Sequence, residues 1–221
     1  MNNIKALQWR YATKKFNKKK ILPQEKIEVL KTAFNLTATS YGLQPIKMVI
    51  IRNKELQQKL REFSFDQKQV STASHLLIIC IEKRIDKLFI EKYFKMVHHI
   101  RSTPEEILNP FKNFLVGDFE KKTVEEIKVW ATNQAYLALG NLMTVCAIEE
   151  IDSCPMEGFE PQNYDELLAL DTFNLESVLV LPVGYRAADD VFSEFKKVRR
   201  EISDVIIDLS ASPENKDFPN T

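Results

Sequence analysis

Glycine is scarce in this chain, five in 221 residues, and neither G-x-G-x-x-G nor G-x-x-x-x-G-K occurs. A glycine-rich loop that cradles phosphate with its backbone is therefore excluded. Any nucleotide must be held by side chains and isolated amides. Cysteines number only three, Cys80, Cys146 and Cys154, with no C-x-x-C spacing. An odd, scattered set points to a reducing compartment rather than a disulfide framework. No apolar run reaches the roughly 18–20 residues needed to cross a bilayer, and Met1-Asn2-Asn3-Ile4-Lys5 lacks the apolar stretch of a secretory signal. Excess charge of one sign is missing too, since 31 basic residues balance 31 acidic ones. Bulk charge therefore holds this chain to neither nucleic acid nor membrane, and no helix-turn-helix or RNP-like pattern is present. The expectation is a globular, cytoplasmic protein with no nucleic-acid or membrane partner.

What is present is a chain able to build a large core. Hydrophobic residues make up 44% and charged residues 28%. The reading is one domain over residues 1–210, followed by a polar, proline-containing tail over 211–221. Helix signals dominate. Pro23 opens a segment to about Leu36 with Ile27, Val29, Leu30 and Phe34 as apolar positions. Thr103-Pro104-Glu105-Glu106 reads as a capping box with proline at the first helical position, and Thr123-Val124-Glu125-Glu126 as a second. Asn163 with Glu166 marks the start of a shorter helix.

The segment from Thr123 to about Glu150 contains no proline and only Gly140 as a breaker. Ile127, Trp130, Gln134, Ala138, Leu142 and Val145 form one stripe. Val129, Tyr136, Leu137, Met143 and Cys146 lie opposite. A helix apolar nearly all round is covered on more than one side. Either it sits at the centre of a helical layer or a second subunit covers it. Strands are expected at Lys47–Ile51, Leu76–Ile81 and Val178–Val183, near-continuous apolar runs of the kind covered on both faces. The fold class is α+β, a sheet with helices on both sides.

Two basic clusters stand out, Arg10-Tyr11-Ala12-Thr13-Lys14-Lys15 and Lys196-Lys197-Val198-Arg199-Arg200. Each can be a solvated surface segment or part of an anion site, where arginine binds phosphate bidentately. His75, His98 and His99 lack metal-ligand spacing, and no metal is expected. His75 reads as a hydrogen-bonded structural histidine. No cysteine has a basic partner nearby in sequence, and no G-x-S-x-G occurs. Conventional nucleophilic catalysis has no candidate.

The segment Ala6-Leu7-Gln8-Trp9-Arg10-Tyr11-Ala12-Thr13-Lys14-Lys15-Phe16 resembles the opening motif of the FMN-dependent nitroreductase family. Thr37-Ala38-Thr39-Ser40-Tyr41-Gly42-Leu43-Gln44-Pro45 is similar to that family's Ser-rich loop, and Ala73-Ser74-His75 before a strand to another of its segments. Cys154-Pro155-Met156-Glu157-Gly158-Phe159 resembles its Pro-x-Glu-Gly-Phe element, and Leu181-Pro182-Val183-Gly184 precedes the terminal basic pair. The resemblance implies a nitroreductase-like fold with a mainly antiparallel central sheet, in an intertwined homodimer with FMN at the subunit interface. It implies NADH or NADPH as reductant and a small-molecule acceptor, a nitroaromatic or quinone, reduced by a ping-pong hydride mechanism. The alternatives are a dedicated reductase of a pteridine or enone and a flavin-binding protein without turnover.

The resemblance further implies that Arg10, Lys197 and Arg199 hold the FMN phosphate, with Tyr11 and Ala12 giving mainly backbone contacts. Lys14 serves as electrostatic support near the flavin. Ala38, Thr39, Ser40 and Gly42 pack on it from the other subunit. Asp66 and Gln69 bond the pyrimidine edge, and Pro155, Met156, Glu157 and Gly158 lie against the ring. Asp66, Gln69, Gly42 and Ala12 depart from the Asn, Lys, Asn and Ser common in the similar branch. Phe111, Phe114 and Phe119 are assigned to an acceptor-side flap, with ordinary core packing as the alternative. The flavin performs the chemistry, so no catalytic side chain is assigned.

Overall fold

The computed structural model describes residues 2–209, so the 211–221 tail lies outside the described residues. Its centre is a four-stranded sheet of β1 (Ile46–Ile51), β2 (His75–Glu82), β3 (Asp152–Ser153) and β4 (Leu175–Gly184). The spatial order is β1-β2-β4-β3, with every neighbouring pair antiparallel. Val49 faces Ile78, which faces Val180, and this register sets the middle of the sheet.

Successive side chains along a strand point to opposite faces, and the core divides accordingly. Leu77, Ile79, Ile81, Leu179, Leu181 and Val183 face one apolar cluster. Leu76, Ile78, Cys80 and Val180 face the other. The first face is covered by α2 (Gln24–Asn35), α5 (Lys87–Arg101), α6 (Glu105–Phe119) and α7 (Val124–Ile148). The second is covered by α3 (Lys54–Glu62), α4 (Lys68–Thr72) and α8 (Pro161–Leu167), together with Phe16 and Met156. Both faces are covered at the centre of the sheet, which is why β2 is apolar from Leu76 to Ile81, while Lys47, His75, Glu82 and Glu176 sit towards the strand ends. Two short helices, α1 (Asn3–Trp9) and α9 (Ile202–Val205), flank the chain's ends.

The expected capping box at Thr123 forms. Its hydroxyl accepts from the Glu126 amide at 3.2 Å, and the Thr123 amide donates to Glu126 Oε2 at 2.8 Å. The one at Thr103 does not. Pro104 is extended, at φ −55° and ψ 144°, and caps α6 without any side-chain bond, while the Thr103 carbonyl is taken by His98 Nδ1 at 2.7 Å. Pro23 is likewise the residue before α2 rather than its first turn. The helix expected from Asn163 starts earlier, with Pro161 in its first turn.

Helix α7 buries one face, including Ala131, Gln134, Ala135, Ala138, Leu142 and Cys146. Cys146, expected opposite that stripe, belongs to it and is fully buried. The other face leaves Val129 52%, Tyr136 43% and Leu137 54% exposed. Among the described residues nothing covers the exposed parts of these three large side chains.

Candidate functional site

Helix α1 ends at Arg10, whose backbone turns extended at ψ 145°. The following residues then add to the sheet's β3 edge. Ala12 bridges Ser153, the Thr13 amide donates to the Ser153 carbonyl at 3.2 Å, and Phe16 bridges Arg186. This extended run fixes where Arg10 and Lys14 project. The Lys14 ammonium reaches Cys154 Sγ at 3.9 Å. Cys154 thus has a basic partner 140 positions away, which its sequence neighbours do not disclose. Burial nevertheless dominates over the nearby Lys14 and Arg10 charges and raises its thiol pKa.

The C-terminal segment returns to the same place. A cavity of about 310 Å³ is lined by Arg10, Tyr11, Ala12 and Lys14 from the first segment and by Phe192, Phe195, Lys196, Lys197 and Arg199 from the second. The two basic clusters therefore meet, and no carboxylate among the described residues lines the cavity. The Lys197 ammonium donates to the Arg10 carbonyl. Arg10 Nε is buried and has no partner among the described residues. Burial first, and the Arg199 charge second, push the Arg10 pKa down. Lys197 is lowered by burial and then by Arg10, Arg199 and Arg186. Like charges held together beside an orphaned guanidinium donor are short of an anion.

The Pro155–Gly158 turn follows Cys154. Met156 is buried and bridges Val180, while Glu157 and Gly158 are exposed. The Gln67 side-chain amide donates to the Gly158 carbonyl at 2.8 Å, and Gln69 donates to Gln67 Oε1 at 2.8 Å. Gln69 and the Gly158 turn are thereby joined. The Asp66 carboxylate turns to Arg61, 2.7 Å away. Phe65 and Asp66 hold φ of 52° and 58°, a left-handed pair costly for residues with a Cβ. On the outward face of α7, the Tyr136 hydroxyl pKa is raised by burial and then by its hydrogen bond to Glu157.

The Ala38–Gly42 segment lies elsewhere. Thr39 lines a separate cavity with Phe34, Asn35, Thr37, Gln44 and Ile46. The Ser40 amide donates to Gln134 of α7 at 2.8 Å. Gly42 has φ +71°, a left-handed conformation that favours glycine, and a Cβ there would press on the Tyr93 hydroxyl. Tyr41 packs against Phe111, Phe119 and Trp130 with centroids 6.3–6.4 Å apart. Phe119 is a core residue, 3% exposed, whereas Phe111 and Phe114 are 45% and 60% exposed and stack on each other. Within one chain, these residues do not share a cavity with Arg10 and Lys197.

No sequence signal singles out Asp190, Phe192 or Phe195, which the fold brings to the cavity or beside it. Lys196 belongs to a visible basic run, whereas an Asp-Asp pair in a loop is usually solvated. His75 is 5% exposed and its Nδ1 lies 2.9 Å from the Ser74 hydroxyl, in the structural role expected.

Residues 7–185 match the model of the nitroreductase family. A candidate NAD(P)H nitroreductase of Staphylococcus haemolyticus is 33% identical over 215 residues, covering 92% of this chain and 95% of the relative. Among solved structures, a candidate nitroreductase of Bacillus subtilis superposes with TM-score 0.83 at 16% identity, covering 93% of this chain and 98% of its own. A candidate nitroreductase of Exiguobacterium sibiricum, solved in complex with FMN, gives TM-score 0.79 at 20% identity over 94% of this chain and 97% of its own.

Proposed function

This chain belongs to the nitroreductase family, and from that premise we propose that it is an FMN-dependent oxidoreductase. It draws on NADH or NADPH to reduce small acceptors such as nitroaromatics and quinones, and it works in the cytoplasm as a homodimer. The observation that carries the reading is the cationic cavity with the unpartnered Arg10 Nε. A phosphate monoester fits that donor set, since it is anionic at neutral pH and accepts several hydrogen bonds.

In this reading Arg10, Lys197 and Arg199 hold the FMN phosphate, and the backbone at Tyr11 and Ala12 lies beside it. Pro155, Met156, Glu157 and Gly158 support the flavin ring, and Asp66 and Gln69 lie at its pyrimidine edge. FMN, when bound, supplies two-electron redox chemistry that the side chains cannot. Lys14 keeps a fixed positive charge where reduction adds negative charge, stabilising it without moving a proton. The uncovered Val129, Tyr136 and Leu137 face of α7 favours a second copy. That copy brings Ala38, Thr39, Ser40 and Gly42 to the flavin, and the exposed Phe111 and Phe114 supply an aromatic wall for the acceptor.

Steady-state turnover tests the assignment, with a nitroaromatic, a quinone, an enone and a pteridine offered against varied NADH and NADPH. Donor and acceptor using one place in turn predicts parallel double-reciprocal lines. Intersecting lines would exclude the alternation. Turnover confined to the enone or the pteridine would make the protein a dedicated reductase.

A further inference from the structure

Asp190 is a carboxylate only 4% exposed, placed between the two basic segments but outside the cavity they line. Its Oδ2 accepts three hydrogen bonds from the first segment: the Tyr11 hydroxyl at 2.9 Å, the Lys14 amide at 2.9 Å and the Lys15 amide at 3.1 Å. Its Oδ1 accepts from the Phe192 amide at 3.3 Å, opening the turn that leads to Phe195 and Lys197. The Ser193 hydroxyl closes that turn on the Asp190 carbonyl at 2.8 Å. One side chain thus ties together two segments some 175 positions apart.

Electrostatics alone would disfavour this arrangement. A negative charge beside the cations opposes any anion they bind. Its benefit is geometric. The Tyr11–Lys15 run is held at the Thr13 amide by the Ser153 carbonyl and at the Lys15 carbonyl by the Ala187 amide, 2.9 Å away, and Asp190 satisfies the Lys14 and Lys15 amides between them. Without the carboxylate the Lys14 and Lys15 amides lose their partner, which loosens the part of the backbone that aims Lys14 and leads back to Arg10.

We propose that Asp190 is the positioning residue of the anion site, holding the Arg10–Lys15 segment against the Phe192–Arg199 segment so that their cations converge on one phosphate. The inference rests on the flavin reading above and goes beyond it by giving a buried anion a constructive part in binding another anion.

The test measures the affinities of FMN and of riboflavin, which lacks the phosphate, by fluorescence quenching on folded Asp190→Ala, Asp190→Asn and Tyr11→Phe proteins. Positioning predicts that the FMN-to-riboflavin affinity ratio falls at least about tenfold in Asp190→Ala, the scale of lost hydrogen bonds to a charged group. Asp190→Asn keeps an acceptor oxygen and stays within about threefold of the parent, and Tyr11→Phe loses one bond of three and falls between. A general structural role would lower thermal stability and weaken both ligands together, leaving the ratio unchanged and overturning the proposal. A ratio that rises equally in Asp190→Ala and Asp190→Asn would make the residue only an opposing charge. Should Asp190→Ala fail to fold, the ordering of Tyr11→Phe below Asp190→Asn still decides. A parent protein that binds neither ligand would overturn the flavin reading itself, whereas a parent that binds FMN beside an unaffected Asp190→Ala would overturn only the positioning claim.

Discussion

Burial ranks the cations of the cavity, and the ranking can be measured. Arg10 is half-buried with an orphaned Nε, whereas Arg199 is exposed. A charge-assisted bond from a partly desolvated donor contributes roughly 1.5–3 kcal/mol, which is about tenfold to hundredfold in affinity. An exposed pair, screened by solvent, contributes about 0.2–1 kcal/mol, less than about fivefold. Arg10→Met should therefore weaken FMN much more than Arg199→Ala. Both substitutions should leave riboflavin binding nearly unchanged, because the phosphate is what they contact. Fluorescence titration of both ligands against parent and variants gives the numbers directly. Equal losses for FMN and riboflavin, or a larger effect at Arg199, would refute the phosphate assignment.

Lys14, His75 and Ile78 carry three further predictions. Lys14→Met should slow flavin reduction about tenfold in anaerobic stopped flow, the scale of one partly screened charge near a developing anion; an unchanged rate would remove its electrostatic role. Burial, followed by the Arg52 and Lys54 charges, pushes His75 down from 6.5 to about 4, so the folded state binds fewer protons there than the unfolded chain. His75 then costs nothing above pH 6.5, and stability falls as pH drops from 6.5 towards 4 by up to roughly 3 kcal/mol. His75→Gln should lose that slope in urea unfolding across this window, and an unaltered pH dependence would count against it. Ile78→Ala removes a fully buried side chain lying between Val49 and Val180. It should cost about 2–5 kcal/mol in urea unfolding, and a loss under about 1 kcal/mol would contradict the packing described.

The parts of the fold legible in sequence are those fixed by burial or local bonding. Leu76–Ile81 reads as a strand because α7 dries one face of it and α3, α4 and α8 the other. Thr123 reads as a cap because its partner Glu126 lies three residues away. Thr103 misleads because the extended Pro104 is itself the cap of α6, which leaves the Thr103 hydroxyl one residue outside the helix. The same division holds at the site. Arg10–Lys15 and Lys196–Arg200 are visible as basic runs, but their convergence depends on Ala12 joining Ser153 and on Asp190 reaching Lys14 and Lys15. Those contacts span more than a hundred residues and leave no periodicity to read. The proximity of Lys14 to Cys154 was hidden for the same reason.

The most direct test of the central claim is the absorbance spectrum of the purified protein, taken anaerobically before and after NADH and then NADPH. The account predicts a flavin spectrum that bleaches within seconds with at least one of the two donors. A flavin spectrum unchanged by either donor would contradict the oxidoreductase assignment, and a protein that stays colourless after incubation with FMN would contradict the anion site on which it is built.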